Sequence, residues 1–352
     1  MINGRIEKMK KLKSQFLLLF TSLALVLSGC GQSSTSNSSA TTPGETETRT
    51  FKVAHSGGDS HVHGKAMVVF KEEVEKRSNG RIKIETYPES SLGTDGEVMR
   101  QLKSGSLDMG IIISGELANH SPSFNAWFMP FLFENASQAY EMGNTDEAKA
   151  LFDTLGDAGV RSMGYLVIEM RDILSKDAVI TDINQLNGVN VRVTPSPAIV
   201  DFWKSFGANP TPVDFSEVFS AFQTGVVNAL DSGPTSVVNS KFHEVGKYYT
   251  ETQHYAFTSA GLVSEQVWSQ LSAEDQQIIQ ESFEAARKNN IDTYNEIAEQ
   301  SVKTMQDQGV TIGKLERNAE FDATLNQFLD KYAQSDEKIK VFVEKAKEIS
   351  GK

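Results

Sequence analysis

The chain has 352 residues, of which 39% are hydrophobic and 23% are charged, and its formal net charge is −12. At roughly 150 residues per domain, this length predicts two domains with a substantial core and excludes a disulfide-stapled mini-protein. The acidic balance disfavours nucleic acid as a partner, and the near-average composition excludes a multi-span membrane protein. The single cysteine, Cys30, excludes intrachain disulfides, cysteine zinc sites and iron–sulfur clusters.

The N-terminus has the pattern of an export signal. Five basic residues between Arg5 and Lys13 precede an apolar run from Phe16 to Leu27, and these twelve residues are too few to span a membrane. The run continues into Ser28-Gly29-Cys30, and LSGC resembles a bacterial lipobox. This resemblance implies a lipoprotein signal peptide over residues 1–29, cleavage before Cys30, and attachment of lipid, including palmitate, to that cysteine. The alternative is an ordinary signal peptide with a chance cysteine.

Residues 30–49 form a predicted flexible tether. Between Gln32 and Thr48 the sequence is polar almost throughout, so it cannot bury enough apolar surface to offset the entropy of ordering. Removal of residues 1–29 takes away five basic residues and one acidic residue, which leaves a mature net charge of −16. We therefore expect an acidic, extracytoplasmic protein held close to the bacterial cell membrane by a lipid anchor.

From residue 51 onward, strand-like and helix-like patterns alternate. The predicted strands are Phe51–His55, Ile82–Tyr87, Met109–Ile113, Val160–Ile168, Val189–Val193 and Asn209–Val213. The predicted helices are Ala66–Arg77, Glu97–Lys103, Ser137–Leu155, Ala198–Phe206 and Phe215–Gln223. From Ser272 the chain is mostly helical, and Ser272 has the position of an N-cap. Such alternation is typical of parallel α/β sheets.

The usual catalytic motifs are missing from the sequence. It contains no GxGxxG, GxxxxGK[ST], HExxH, GxSxG or CxxC pattern, so no motif supports an enzymatic function. His55, His61 and His63 lie close together in HSGGDSHVH. Three interpretations stay open for them: a helix start that attracts anions, contact with a ligand, or a zinc site.

The segment VNVRVTPSP predicts a strand with one apolar face and one polar face. Valines alternate with polar residues over Val189–Val193, which places Arg192 in mid-strand on the polar face. Pro195 and Pro197 end the strand, so the polar face opens toward its carboxyl end, where ligands bind in open α/β folds. A guanidinium can donate two parallel hydrogen bonds to a carboxylate, which lysine cannot do. A surface ion pair with an acidic neighbour is the alternative for Arg192.

Several separated blocks resemble one family, the dicarboxylate-type (DctP) substrate-binding proteins of tripartite ATP-independent periplasmic (TRAP) transporters. The resemblance covers roughly residues 51–309, in the blocks GRIKIETYPESSLG, LKSGSLDMG, MPFLFENASQAYE, LNGVNVRVTPSP and FGANPTPVDFSEVFSAFQTGVVNALDS. It implies a two-domain, type II periplasmic-binding-protein-like α/β fold with mixed sheets, long helices spanning both domains and a helical C-terminus. Domain I is expected at 50–165 and domain II at 166–249, with part of 250–310 in each, and the C-terminal helices at 311–352.

The resemblance also implies site residues. Arg192 matches the arginine that holds the ligand carboxylate in relatives, and Arg171 in EMRDIL matches a second arginine that commonly assists it. Phe215 in the FSE block matches a phenylalanine that packs on the ligand. Where many relatives read VDGQEN, this chain reads VNALDS. Asp231 and Ser232 thus replace a side-chain amide that is common there, and the identity of the substrate stays open.

Further ligand contacts are implied by position. His55, Ser56 and His63 lie in the block entering the first helix, and Asp95 follows the second strand, where relatives often contact polar ligand groups. Glu116 stands where sialic-acid-binding relatives have an additional arginine, which disfavours a second carboxylate clamp. An acid beside the site would accept hydrogen bonds from hydroxyls or an ammonium. The alternative for Glu116 is an exposed loop acid.

The resemblance predicts an extracytoplasmic solute-binding protein of a TRAP transporter. We expect it to capture an organic acid anion, such as a uronate or another hydroxylated carboxylate, and to deliver it to the membrane permease without breaking a bond. No cofactor, metal or nucleic acid is expected. Two alternatives from other classes stay open: a secreted hydrolase or lyase on the same scaffold, and a metal-binding receptor that uses the three histidines.

Overall fold

The computed structural model describes residues 48–156 and 158–352. The predicted signal peptide over 1–29, the predicted lipidation site Cys30 and most of the predicted tether lie outside the described residues. In the part of the chain that is described, no helix combines the length and the apolar composition needed to cross a membrane.

Two sheets organise the described chain. Its strands are β1 Arg49–His55, β2 Ile82–Tyr87, β3 Met109–Ile113, β4 Val160–Met170, β5 Ile173–Ser175, β6 Asn190–Val193, β7 Asn209–Pro212, β8 Ala229–Asp231, β9 Tyr248–Glu251, β10 Ala256–Ser264 and β11 Thr311–Lys314. The first sheet has the order β2-β1-β3-β10-β4, and the second has the order β11-β9-β5-β8-β6-β7. Each sheet with the helices packed on it is one lobe, and the chain crosses between the lobes after β4, after β9 and before β11.

Strand direction varies within each sheet. β1 pairs in parallel with β2 and β3, as the sequence pattern predicts, and β6 pairs in parallel with β7 and β8. β10 runs antiparallel to β3 and β4, and β5 runs antiparallel to β8 and β9. The prediction of purely parallel sheets, made from the alternation of strands and helices alone, is therefore wrong. The mixed sheets implied by the family resemblance are confirmed.

The described residues form twelve α-helices and four 3₁₀ segments. The α-helices are α1 Val62–Arg77, α2 Asp95–Ser104, α3 Ser114–His120, α4 Ala136–Met142, α5 Asp146–Asp153, α6 Pro197–Ser205, α7 Val218–Thr224, α8 Pro234–Asn239, α9 Glu265–Trp268, α10 Ala273–Asp307, α11 Ala319–Ser335 and α12 Glu337–Ser350. The 3₁₀ segments are Pro122–Phe128, Ile183–Leu186, Phe215–Glu217 and Phe242–Glu244.

Three predicted elements differ from the structure. The helix predicted over Ser137–Leu155 is two helices, α4 and α5, because the Thr145 hydroxyl accepts a hydrogen bond from Ala148 N at 3.2 Å and starts a new helix. The helix predicted from Phe215 begins with a 3₁₀ turn, and α7 starts only at Val218. The C-terminal region expected to be helical includes a strand, β11, which pairs in parallel with β9.

The 35-residue helix α10 contacts both lobes. At 1.5 Å per residue it is about 50 Å long, which is enough to cover both sheets. Ser272 caps it as predicted, because its hydroxyl accepts a hydrogen bond from Asp275 N at 3.1 Å. Phe283 packs in the core of the first lobe, and Met305 packs in the core of the second. A helix that spans both domains is therefore confirmed.

Candidate functional site

A cavity with about 660 Å³ of empty space, partly open to solvent, lies where loops at the carboxyl ends of several strands meet. This volume includes space that is open to solvent. Both lobes contribute to its lining, which consists of Ser56, His61, His63, Ser90, Thr94, Asp95, Gly96, Ile113, Glu116, Ile168, Arg171, Arg192, Thr194, Pro195, Asp214, Phe215, Ser216, Ser236 and Phe257.

Arg192 reaches this cavity from β6 and is only 2% exposed. Its Nε and Nη2 donate hydrogen bonds to the carbonyl oxygen of Val213 at 3.1 and 2.7 Å, which leaves Nη1 without a partner among the described residues. No carboxylate of the described chain lies within 4 Å of its guanidinium, so the surface ion pair is the wrong interpretation. Burial, and then the charge of Arg171, lower the pKa of Arg192 to about 10, so the side chain stays cationic at neutral pH.

Arg171 follows β4 and lines the same cavity in a different electrostatic setting. Its guanidinium carbon lies 3.7 Å from the ring centroid of Phe257, and Nη1 donates a hydrogen bond to the carbonyl oxygen of Asp231 at 2.9 Å. Two buried carboxylates flank it, with Glu169 Oε1 at 3.4 Å from Nη1 and Asp231 Oδ1 at 3.8 Å from Nε. Carboxylates of the protein therefore contact Arg171 directly, whereas Asp231 and Asp214 act on Arg192 only at longer range.

Asp231 lies behind the arginines and does not line the cavity. Its Oδ2 accepts hydrogen bonds from Trp203 Nε1 at 2.8 Å and from the hydroxyl of Tyr255, and His254 Nε2 lies 3.6 Å away. Burial by itself would raise the pKa of Asp231, but His254, Arg171 and Tyr255 outweigh it and lower the pKa to about 2. The predicted ligand contact of Asp231 is thus replaced by a supporting contact with Arg171.

Glu169 is the second carboxylate beside Arg171, and it is fully buried. Its oxygens accept hydrogen bonds from Gly233 N at 2.9 Å, the Thr235 hydroxyl at 2.7 Å and Ser236 N at 3.0 Å. These donors lie at the start of α8, where the peptide dipoles favour a negative charge. Glu169, on β4 of the first lobe, therefore contacts both Arg171 and the second lobe.

His61 and His63 stand at the start of α1 and both line the cavity. His61 Nδ1 accepts a hydrogen bond from His63 N at 3.3 Å, and its Nε2 lies 3.3 Å from the Ser236 hydroxyl in the second lobe. His63 Nε2 lies 3.1 Å from the Ser259 hydroxyl. Burial lowers the pKa of His61 to about 4 and the pKa of His63 well below its usual value, so both imidazoles are neutral at pH 7.

Three carboxylates line the cavity from other parts of the chain, on Asp95 at the start of α2, Glu116 on α3 and Asp214 after β7. Asp95 Oδ1 accepts a hydrogen bond from Ile113 N at 3.2 Å, but burial opposes this effect and, with the charges of Glu116 and Asp214, raises the pKa of Asp95 to about 7. Glu116 lies on α3 and not in an exposed loop, and its Oε1 accepts a hydrogen bond from His120 Nε2 at 3.0 Å. The cavity therefore has a cationic side and an acidic side.

Comparison with known families places this cavity in context. The model of the DctP family, described as bacterial extracellular solute-binding protein, family 7, matches residues 53–336. The chain belongs to the DctP family. The match includes every cavity-lining residue, from Ser56 to Phe257.

The relatives of this DctP-family chain differ in the ligands for which they are named. The 2,3-diketo-L-gulonate-binding periplasmic protein of Escherichia coli is 28% identical over 266 residues, which are 75% of this chain and 81% of the relative. The C4-dicarboxylate-binding periplasmic protein of Rhodobacter capsulatus is 27% identical over 277 residues, or 76% and 81%. A TRAP periplasmic solute-binding protein from Bradyrhizobium sp. btai1, in complex with galacturonate, superposes with a TM-score of 0.80 at 26% identity and covers 85% of this chain and 100% of that one.

Seven of the ten predicted ligand residues in this DctP-family chain line the cavity: Arg192, Arg171, Phe215, Glu116, Ser56, His63 and Asp95. Asp231, Ser232 and His55 are buried but do not line it. The Ser232 N–H donates a hydrogen bond to the Asp172 carbonyl oxygen at 3.0 Å. The His55 carbonyl oxygen accepts one from Ser90 N at 3.2 Å, which holds a cavity-lining loop. These two residues therefore shape the loops around the site.

Sequence reasoning missed two acidic residues of this DctP site, Glu169 and Asp214. Glu169 stands two positions before Arg171, so an extended strand places both side chains on one face, and this signal was available. Asp214 directly precedes Phe215 in VDFSE but belongs to no strand or helix. Neither a helical nor a strand periodicity therefore indicates that its side chain lines the site. His61, left undecided by the sequence, lines the cavity together with His63.

The histidines do not form a three-ligand metal site. Across residues 48–156 and 158–352, no group of three or more His, Cys, Asp or Glu side chains has an arrangement that could hold a metal ion. His61 and His63 instead direct their Nε2 atoms toward serine hydroxyls. The zinc interpretation of HSGGDSHVH therefore has no geometric support.

Proposed function

We propose that this chain is the extracytoplasmic solute-binding protein of a TRAP transporter and that it captures a sugar acid, such as a uronate or an aldonate, in the cavity. The observation that carries this proposal is the buried guanidinium of Arg192, which lines the cavity without a carboxylate partner in the described chain. A buried cation without a counterion is costly, and a ligand carboxylate supplies the missing charge. Its Nη1 and the second N–H of Nη2 are the donors left for that contact.

The rest of the lining supports a hydroxylated ligand. Carboxylates on Asp95, Glu116 and Asp214 are hydrogen-bond acceptors, and the neutral imidazoles of His61 and His63 add further polar atoms. Sugar hydroxyls are both donors and acceptors, so they suit such a mixed surface. Apolar contact with the carbon skeleton comes from Ile168, Pro195, Phe215 and Phe257.

We infer that the ligand is carried to the membrane permease of the transporter and is not converted. Family membership supports this inference, because the matching family is one of solute-binding proteins. Two of the relatives compared above are named for the molecules they bind, and the solved structure is of a solute-binding protein in complex with galacturonate. Incubation of the protein with its ligand, followed by NMR of the recovered ligand, should return the same compound, and turnover would contradict a purely binding role.

We also propose that Cys30 anchors the protein to the cell membrane through lipid after removal of residues 1–29. The LSGC sequence and the polar stretch that follows support this proposal. Cys30→Ser should block lipid attachment and cleavage before residue 30, whereas Ser34→Ala, a matched change in the polar stretch, should leave both unchanged. Normal processing and membrane association of Cys30→Ser would contradict lipid anchoring.

The binding proposal is tested by a thermal-shift screen followed by calorimetry. The ligands are galacturonate, glucuronate, galactonate, gluconate, succinate and a neutral hexose. A ligand that binds only the folded state at 100 times its Kd stabilises it by about 2.7 kcal/mol, which raises the melting temperature measurably. We expect sugar acids to stabilise the protein and the neutral hexose to have no effect. Stabilisation by the neutral hexose alone, by succinate alone or by none of the sugar acids would overturn the proposal.

A further inference from the structure

The two arginines of the cavity differ in the protein carboxylates that contact them. Arg171 and Arg192 are the cationic side chains in its described lining. Arg171 has Glu169 Oε1 at 3.4 Å and Asp231 Oδ1 at 3.8 Å, so two carboxylates already balance its charge. Arg192 has no such partner among the described residues. Arg192 is thus the cationic side chain of the cavity that no carboxylate of the described residues contacts, and Asp231 and Asp214 act on it only at longer range. This leaves its guanidinium available to a single ligand carboxylate.

The acidic side of the cavity is shared between the lobes. Asp95 at the start of α2 and Glu116 on α3 belong to the first lobe, and Asp214 follows β7 in the second. A β-carbon built on Gly96 would lie 3.2 Å from Glu116 Oε1, so the Glu116 carboxylate lies against the α2 residue next to Asp95. The charges of Glu116 and Asp214 both act on Asp95. These three side chains form one acidic wall.

We propose that this acidic wall, formed by Asp95, Glu116 and Asp214, restricts the site to sugar acids with one carboxylate and rejects the corresponding diacids. The inference rests on the proposed function and specifies its substrate class. A ligand whose first carboxylate binds Arg192 would bring a second carboxylate against like charges without a free cation to meet it. Like charges placed together across an interface cost enough to suppress a partner, and hydroxyls in the same place donate hydrogen bonds to the wall.

Asp95 makes this discrimination dependent on pH. Burial raises the pKa of Asp95 to about 7, with Glu116 and Asp214 adding to the effect, so its charge changes between pH 6 and pH 8. The groups facing it are Glu116 from α3, Asp214 from the second lobe and the Ile113 N–H from β3. The rejection of a diacid should therefore strengthen as the pH rises from 6 to 8.

Matched acid pairs test the proposal by calorimetry on the folded chain. Gluconate and glucarate, like galactonate and galactarate, are open-chain acids that differ only in a terminal hydroxymethyl group replaced by a carboxylate. At pH 8 we expect each diacid to bind the wild-type protein about 100-fold more weakly than its monoacid. Asp95→Asn and Glu116→Gln preserve side-chain shape. Each should reduce the ratio of monoacid affinity to diacid affinity by about 10-fold. Glu217→Gln, the same change outside the cavity, should not affect it.

Affinities measured at pH 6 and pH 8 distinguish the contribution of Asp95 from those of Glu116 and Asp214. In the wild-type protein the gap between monoacid and diacid should be smaller at pH 6 than at pH 8, and Asp95→Asn should make it independent of pH. Glu116→Gln, which leaves Asp95 in place, should keep part of the pH dependence. Monoacid affinities provide the reference at each pH.

The possible results are distinct. Equal affinity for monoacid and diacid, tighter binding of the diacid, or a gap that neither Asp95→Asn nor Glu116→Gln changes would overturn the acidic wall while leaving sugar-acid binding intact. Absence of binding by every sugar acid, with one carboxylate or two, would instead overturn the proposed function itself. The expected gap, narrowed by both cavity variants and unchanged by Glu217→Gln, would support the proposal.

Discussion

The guanidinium of Arg192 directs two of its nitrogens, Nε and Nη2, to a single acceptor, the carbonyl oxygen of Val213, at 3.1 and 2.7 Å. A neutral carbonyl fixes the orientation of the side chain without neutralising its charge. Val213 directly follows β7, whose residues pair in parallel with β6, so the two strands together aim Arg192. The result is an oriented, desolvated cation whose Nη1 and second Nη2 N–H remain without a protein acceptor among the described residues.

Arg192→Ala should cost about 2 to 5 kcal/mol of binding free energy for a sugar acid, because it leaves the ligand carboxylate buried without its partner. Arg192→Lys should restore only part of this, since an ammonium cannot bond the Val213 carbonyl and the ligand in the same fixed geometry. Calorimetric titration of both variants measures the loss. Near-wild-type affinity in a folded Arg192→Ala protein would remove the carboxylate clamp from the proposed function.

Arg171→Ala should act mainly on stability. The substitution leaves Glu169 and Asp231 buried without their shared cation, which we expect to lower the free energy of unfolding by about 3 kcal/mol. Arg192→Ala is the matched control, because it leaves no protein carboxylate without its cationic partner. It should therefore lower the free energy of unfolding of the free protein much less. Urea unfolding of both variants without ligand measures the difference. Equal destabilisation by the two substitutions would contradict the distinction between a paired and an unpaired arginine.

The position of Arg192 could be predicted from sequence because it depends on local alternation. Valines on one side and polar residues on the other fix the face of a short strand, and the two prolines fix its end. β10 could not be predicted in this way. All nine of its residues are buried, so no alternation of polar and apolar residues marks a face. Its position between β3 and β4 also depends on pairing with strands about 90 to 150 residues earlier.

The role of Asp231 shows the same limit within the site. The family resemblance placed it near the ligand, but its orientation is set by Trp203, Tyr255 and His254, which come from α6 and the segment before β10. No local pattern relates these residues to Asp231. Sequence could therefore predict which segments approach the ligand, whereas the division between contacting and supporting residues required the tertiary contacts.

Asp95→Asn should stabilise the free protein at high pH. The folded-state pKa of Asp95, about 7, lies above the usual 3.8, so the folded state retains a proton that the unfolded state loses, and stability falls as pH rises from 4 to 7. Because Asp95 is partly exposed, we expect a gain of about 1 to 2 kcal/mol at pH 8 and little change at pH 5. Urea unfolding at both pH values tests this. A gain of the same size at both would assign the effect to something other than its charge.

His61 should make the protein less stable in acid. The pKa of His61 is lowered by burial from 6.5 to about 4, so its contribution to the free energy of unfolding is complete above pH 6.5 and is lost as pH falls toward 4. From pH 7 to pH 5 this contribution decreases by about 2 kcal/mol. His61→Gln retains a donor for Ser236 but cannot titrate, so its stability should fall less over this range. An unchanged dependence of stability on pH in His61→Gln would contradict the assignment.

Gly115 controls how closely the two lobes approach beside the cavity. It lies on α3 of the first lobe, and a β-carbon built there would lie 3.1 Å from Thr194 Cγ2 and 3.4 Å from the Pro195 carbonyl oxygen of the second. Both neighbours line the cavity, so any displacement of them changes the site next to Arg192. The absence of a side chain is therefore required by the contact between lobes and not by the helix.

Gly115→Ala should leave the free protein about as stable as wild type, because the gain in helix propensity of about 1 kcal/mol offsets a small clash. Ligand affinity should nevertheless fall, by about 10-fold for Gly115→Ala and by more for Gly115→Val, since the larger side chain keeps Thr194 and Pro195 farther from α3. Calorimetric titration with a sugar acid, alongside thermal unfolding of each free variant, separates the two effects. Wild-type affinity in a folded Gly115→Val protein would mean that ligand binding does not require this close approach of the lobes.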